Sequence, residues 1–494
     1  MSNSKRQWGA IIIMIALFAM IAFVTNLCSP MAVIIKNSFG ASDAMAQIGN
    51  LGNFIAYLVM GIPAGMLIAK FGYKKTALIG LLIGIVGVLV QWLSGHVGKD
   101  SAFLVYLIGA FISGFTMCIL NAVVNPMLNI LGGGGNKGNQ LIQIGGVFNS
   151  AAAVAVYIIM GALIGDAAKA HISDATPALM IALGVFVIGF IGLLFTKVEE
   201  PEQAPVDVSL VKGAMKYRHF VLGVLAIFLY MCVEVGTPSY MLQYMTSDTE
   251  QTIKQKSDII GRYENNEMSA DEAAAAFYAL ASLSDETTPD QAEMDKQIND
   301  IKEKITSGQY TLANIEKTTP GLGMNAGIAG LIVAVYWFMM LVGRFIGGAI
   351  GGKVSSRAMI TTAATISIIL ILFGMFAPAS MTTNVPGVDW ANLNLIWTEV
   401  PVSIFAFVLV GLCTSVMWGG IFNLAVEGLG KYTAIASGIF MTMVFGGGVL
   451  VPLQGWLANL ASDYMTSYWL VLFCAAYILF YALVGSKPSH KQVQ

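Results

Sequence analysis

The chain has 494 residues, 56% hydrophobic and 11% charged, with a mean hydropathy of +0.74. A soluble globular domain carries roughly 25% charged residues, so this composition excludes one and makes the bilayer the solvent. A formal net charge of −2 says little by itself, and no nucleic-acid partner is expected.

Apolar runs long enough to cross the hydrocarbon core recur along the whole chain. Twelve spans are predicted, at 8–30, 44–69, 76–95, 102–131, 140–165, 175–196, 219–245, 324–351, 358–378, 400–426, 433–459 and 466–485. Lys5 and Arg6 before the first run imitate a signal peptide, but the run is too long for one and lacks a small-residue cleavage site. It reads as a retained span. Residues 197–218 are charged and Pro-containing, and divide the spans six and six as a cytoplasmic linker between an N-terminal bundle, 1–196, and a C-terminal one, 219–494.

Residues 246–323 interrupt the second bundle and hold 15 of the chain's 28 acids. Ser269-Ala-Asp-Glu272 is a capping-box pattern, Thr288-Pro289 sets a cap before a first-turn proline, and Ile298, Ile301 and Ile305 follow at helical spacing. These signs predict a small helical subdomain outside the membrane, with contact to an external protein partner as its expected use. The alternative is a disordered acidic loop, because few large apolar residues are available to bury.

Basic residues set the orientation. With both termini cytoplasmic, the inner segments hold 15 Lys and Arg, from Lys5 through Lys70, Lys137 and Lys353 to Lys491, against Lys36, Lys99 and Lys169 in the short outer loops. The expected location is the plasma or inner membrane. All five cysteines fall within spans, and neither a disulfide framework, a metal-ligand spacing nor a cofactor motif is predicted.

The two halves repeat one another. Asn26, Ser29 and Pro30 in the first span have the layout of Glu234, Thr237 and Pro238 in the seventh, and Asn125 in NPMLNILG aligns with Asn423 in NLAVEGLG. Parallel six-span halves with substrate held between them near the midplane are the architecture of the major facilitator superfamily. Pro30 and Pro238 would then bend their helices and free backbone carbonyls at the cavity.

PAGMLIAKFGYKKT at 63–76, NPMLNILG at 125–132, FNS at 148–150, GRFIGG at 343–348, IFNLAVEGLGKYT at 421–433 and GGGVLVPLQG at 446–455 together resemble the fucose, galactose and glucose symporter family of that superfamily. The resemblance implies an all-α protein of twelve membrane helices that imports a sugar by alternating access, driven by protons. Sodium coupling and passive facilitation are the alternatives. The chain departs from the family at two acids: Ser29 replaces an aspartate of the first span and Asn121 a glutamate of the fourth. Ala69 also stands where many superfamily members place an aspartate.

A sugar needs groups that hydrogen-bond its hydroxyls and an aromatic face for its ring. The candidates at membrane depth are Asn26, Asn121, Asn125, Asn149 and Asn423, with Tyr230, Trp337 and Trp418 as aromatics, and Asn149 also carried by the FNS resemblance. Asn53, Gln143 and Tyr240 are further polar groups inside spans. An amide between helices also serves as interhelical glue, and an aromatic at a span end as an interfacial anchor. Glu234 is the carboxylate predicted in mid-span, where ionisation costs several kcal/mol unless the group exchanges a proton or pairs. It is therefore the expected proton or cation coupling residue. Arg344 is expected to snorkel or to pair with a carbonyl at the inner gate. No nucleophile, His cluster or phosphate loop suggests catalysis.

Overall fold

The computed structural model describes residues 7–39, 43–97, 99–164, 176–200, 209–282, 291–308, 310–324, 326–378, 380–389 and 394–488. The side chains of Asn26, Pro30 and Asn53 lie outside those described. The first bundle holds α1 (Trp8–Phe39), α2 (Asp43–Leu93), α3 (Lys99–Leu131), α4 (Gly135–Ile164) and α5 (Thr176–Phe195). A short α6 (Ser209–Ala214) lies in the linker. Among the described residues nine helical stretches are long and apolar enough to cross a bilayer. One of them, Phe54–His96, contains the third expected span and the larger part of the second, and α4 and α5 supply the fifth and sixth.

Gly72 separates the two spans inside α2, with a φ of 83° that a side chain tolerates poorly. The helix restarting there has free N–H groups, and Glu200, distant in the chain, caps it, accepting from the Tyr73 and Lys74 amides at 2.6 and 3.0 Å. Lys74 Nζ in turn donates to the Leu194 and Thr196 carbonyls at the end of α5. The carboxylate missing at Ala69 is thus supplied to this loop from the root of the linker.

The second bundle holds α7 (Arg218–Met231), a π-helical turn at Cys232–Gly236, and α8 (Thr237–Thr246). After the insertion come α13 (Ala326–Ile350), α14 (Ser356–Phe376), α15 (Val402–Thr414), α16 (Met417–Val426), α17 (Thr433–Thr442), α18 (Gly446–Ala461) and α19 (Tyr464–Phe480). The halves meet where α2 packs along α17 and α4 along α13. Glycines permit the first approach: a Cβ on Gly65 would meet the Gly438 and Ile435 backbone at 3.1–3.2 Å.

The insertion forms α9 (Glu250–Glu264), α10 (Ala270–Ser282), α11 (Gln291–Thr306) and α12 (Leu312–Ile315). Ile253, Ile259, Ile260, Ala273, Ala274, Phe277, Ile305 and Ile315 make a separate small core. The alternative of a structureless loop fails for this reason: alanines let the helices close until a few isoleucines and one phenylalanine suffice. The capping box forms, the Ser269 amide donating to Glu272 at 2.9 Å and the Glu272 amide to Ser269 Oγ at 3.3 Å. The exit segment pairs with the end of α8 through the Gly321, Leu322, Gly323 and Met324 amides, which donate to the Asp248, Tyr244, Ser247 and Met245 carbonyls at 2.7–2.8 Å.

One feature lies outside the all-α expectation. Residues between the ninth and tenth spans form an antiparallel hairpin, β1 (Thr382–Asp389) with β2 (Asn394–Pro401), Thr382 opposite Pro401. The Thr382 hydroxyl closes its base on the Glu399 carboxylate.

Candidate transport site

The site begins with a missing donor. In an α-helix the amide of residue i bonds the carbonyl of i−4, and Pro238 has no amide, so the Glu234 carbonyl is left open. The chain answers with the π-helical turn, and the Tyr336 hydroxyl on α13 donates to the Glu234 carbonyl at 3.0 Å, with the Val233 carbonyl at 3.5 Å. The expected interruption of the seventh span is therefore present, and its freed carbonyls are held by a neighbouring helix.

The Glu234 side chain is 13% exposed, and the guanidinium of Arg344, 11% exposed, lies 3.9 Å from its Oε1. Tyr230, one turn earlier on α7, lies beside the same carboxylate, its hydroxyl donating to the Thr414 carbonyl at 3.2 Å. Arg344 does not snorkel to an interface. Its Nη1 serves three acceptors on α4 in the opposite half: Asn149 Oδ1 at 2.8 Å, Ser150 Oγ at 2.8 Å and the Gly146 carbonyl at 3.2 Å. Asn149 passes the connection on, its Nδ2 donating to the Phe18 carbonyl of α1 at 2.7 Å. GRFIGG and its partners bring the helices this close. A Cβ on Gly347 would meet Val416 Cγ1 at 2.7 Å, and one on Gly146 would meet Arg344 Cδ at 3.1 Å.

A second cluster sits beside the first. Asn121 Nδ2 donates to the Tyr57 hydroxyl at 2.7 Å, and Asn125 Nδ2 to the Asn121 carbonyl at 2.9 Å. The Trp418 indole N–H points to Asn125 Oδ1 at 3.4 Å across the interface, and the Tyr230 ring lies 6.0 Å from Trp418. Amides, a phenol and two aromatic faces thus gather between α2, α3, α7 and α16, the donor and acceptor mix a polyhydroxylated ring needs.

The remaining candidates are placed elsewhere. Asn423 accepts from Asn129 Nδ2 at 2.5 Å and donates to Ser356 Oγ at 2.8 Å, tying α3 to α16 and α14 near the linker. Trp337 is half-buried, edge-on to Tyr336 with centroids 5.4 Å apart. Tyr57, Tyr336 and Ser150 join the site without having been singled out in the sequence. Nothing there marks them, since a hydroxyl or phenol in an apolar run is common packing.

Among the described residues, the hydrogen bonds that join the halves lie in the part of the bundle toward the linker. To those above are added Gln140 Nε2 to the Gly348 carbonyl at 2.9 Å, Gln143 Nε2 to the Val416 carbonyl at 3.2 Å and Ser437 Oγ to the Ala122 carbonyl at 2.8 Å. The halves are clasped on that face. No group of three or more potential metal ligands occurs among the described residues.

The family model described as Major Facilitator Superfamily matches residues 13–253. A glucose/galactose transporter of Brucella abortus biovar 1 (strain 9-941) is 24% identical over 98% of this chain and 96% of its own. The L-fucose-proton symporter of Escherichia coli (strain K12) is 20% identical over 96% and 92%. The crystal structure of the Escherichia coli fucose:proton symporter superposes with a TM-score of 0.67 at 18% identity, over 97% of this chain and 100% of that one. The fold is the major facilitator fold, its apolar helices are long enough for a multi-pass membrane protein, and over nearly its whole length the chain is similar to transporters of that class. Within the class it resembles the fucose, galactose and glucose symporters.

Proposed function

We propose that this transporter imports a sugar by proton symport, with Glu234 as the group that takes up and gives back the proton. The observation that carries the reading is a carboxylate in the broken seventh span, 13% exposed, with the Tyr230 phenol and the Arg344 guanidinium beside it. Ser29 and Asn121 cannot titrate, which leaves Glu234 to do so. The names of the relatives, a glucose/galactose transporter and an L-fucose-proton symporter, support the substrate class and the coupling ion. Asn121, Asn125, Tyr57, Tyr230 and Trp418 hold the sugar, with Trp337, edge-on to Tyr336, as a further aromatic candidate. Asn149 and Asn423 act first as parts of the clasp between halves.

Uptake of labelled hexoses, deoxyhexoses and amino sugars into proteoliposomes tests this. Accumulation is expected with an imposed proton gradient. Accumulation with sodium alone, or equilibration without any gradient effect, would replace the proton with sodium coupling or passive facilitation. Glu234→Gln keeps the shape and removes titration, so counterflow is expected to persist while concentration against the sugar gradient fails. A mutant that still concentrates sugar like the wild type would remove Glu234 from coupling.

A further inference from the structure

We propose that Arg344 is the positioning residue that converts the charge on Glu234 into the closing of the linker face. The inference rests on the proton-coupling reading above, and the geometry specifies how the coupling works. Arg344 belongs to α13 in the second half, yet its three hydrogen-bond acceptors, Gly146, Asn149 and Ser150, all belong to α4 in the first. Those acceptors are neutral. The anion beside it, Glu234, lies on its own half at 3.9 Å.

A guanidinium taken out of water needs a counter-charge as well as acceptors, because dipoles alone repay only part of its desolvation. With Glu234 ionised, the clasped position gives Arg344 both. When Glu234 binds a proton from solution, its charge is lost and Arg344 is held by neutral groups only. The cation is then better served by water, which reaches it when α4 and α13 part on the linker side. Protonation thus weakens the clasp, and deprotonation restores it. Coupling and gating are two consequences of one carboxyl group.

The groups that face Glu234 do not confuse the assignment. Tyr230 on α7, Tyr336 and Arg344 on α13, and Tyr57 on α2 are those near enough to feel its charge. Phenols ordinarily ionise only near pH ~10, and a guanidinium stays charged throughout. His219, in the first turn of α7, bonds the Glu427 carbonyl at 2.9 Å within the second half and does not cross the interface.

Spin labels at Lys137→Cys and Lys353→Cys, exposed positions on either side of the linker face, read the clasp by electron–electron distance in nanodiscs. The wild type is expected to shift toward the longer distance between pH 8 and pH 5.5. Glu234→Gln is expected to show the longer distance at both values, and Arg344→Gln to lose the pH response, alone or combined with Glu234→Gln. Arg344→Lys, which keeps the charge without the fork, should retain a reduced response and so separates charge from misfolding. His219→Gln should respond like the wild type. A Glu234→Gln protein with the wild-type pH response overturns the proposal, as does an Arg344→Gln protein that is folded and still responds. The distances need no sugar, so a pH response without uptake of any sugar supports the clasp while defeating the substrate reading. Proton-driven accumulation without a distance change does the reverse.

Discussion

Tyr336 illustrates how a single hydroxyl serves a broken helix. Pro238 opens the Glu234 carbonyl, and the phenol on α13 closes it at 3.0 Å. An unsatisfied buried acceptor costs about 1–3 kcal/mol. Tyr336→Phe is therefore expected to lower the thermal unfolding midpoint in detergent, more than Tyr477→Phe, whose hydroxyl is half-buried and bonds the Leu222 carbonyl at a looser 3.3 Å. Asn125 stands between Asn121 and Trp418 in the proposed sugar cluster. Losing one hydrogen bond to substrate is worth about 1.4 kcal/mol, or tenfold in affinity. Asn125→Ala should raise the KM for sugar by roughly that factor, measured as concentration-dependent counterflow. An unchanged KM would take Asn125 out of the binding set.

At the scale of elements, the turn inside α2 depends on two partners that are 128 positions apart in the chain, Gly72 and Glu200. Glu200 caps the restarting helix, and removing such a cap costs about 0.5–2 kcal/mol. Glu200→Ala is expected to lower the unfolding midpoint accordingly and to free the root of the linker, read as faster proteolysis near residue 200. In the insertion, the Ser269 amide and hydroxyl hold the Glu272 carboxyl below the usual carboxylate range. A depressed folded value means that the capping contribution is present above the unfolded value and lost as pH falls through the folded one. Amide exchange in the first turn of α10 should therefore quicken below about pH 4 relative to pH 7, after correction for intrinsic rates. Ser269→Ala should remove that difference.

For the whole molecule, the insertion has its own core and is rooted on the second half alone through the described contacts. Its exit segment pairs with α8, and Thr319 Oγ1 donates to Asn459 Oδ1 at 3.0 Å. Residues 250–318 are expected to be replaceable by a short Gly-Ser linker, with Thr319–Met324 retained, and uptake should survive. Loss of uptake in a folded, inserted protein would show the insertion to be part of the cycle. From the charge asymmetry, the linker is expected inside and the insertion outside. Labelling of Glu267→Cys by an impermeant maleimide in intact cells checks this: modification from outside is expected, and modification only after lysis would invert the topology.

Much of this architecture was legible in the sequence because its causes are local. Span lengths answer to bilayer thickness, Pro238 to an absent donor and Ser269 with Glu272 to a helix end. The place of Glu234 was legible for the same reason, since a carboxylate in an apolar run is conspicuous wherever the run folds. The hairpin at 382–401 was not, because its strands are short, contain Pro and Gly, and acquire a pattern only when they pair. Nor was the fate of Asn149, which reads as a free ligand in the chain and becomes a bridge between Phe18 and Arg344 in the fold. Composition and periodicity determine which segments enter the membrane and which residues are too costly to lie there idle. Who meets them is decided only when two bundles pack, because a guanidinium on α13 finds its acceptors on a helix roughly 195 residues away in the chain, a distance over which no local pattern carries information.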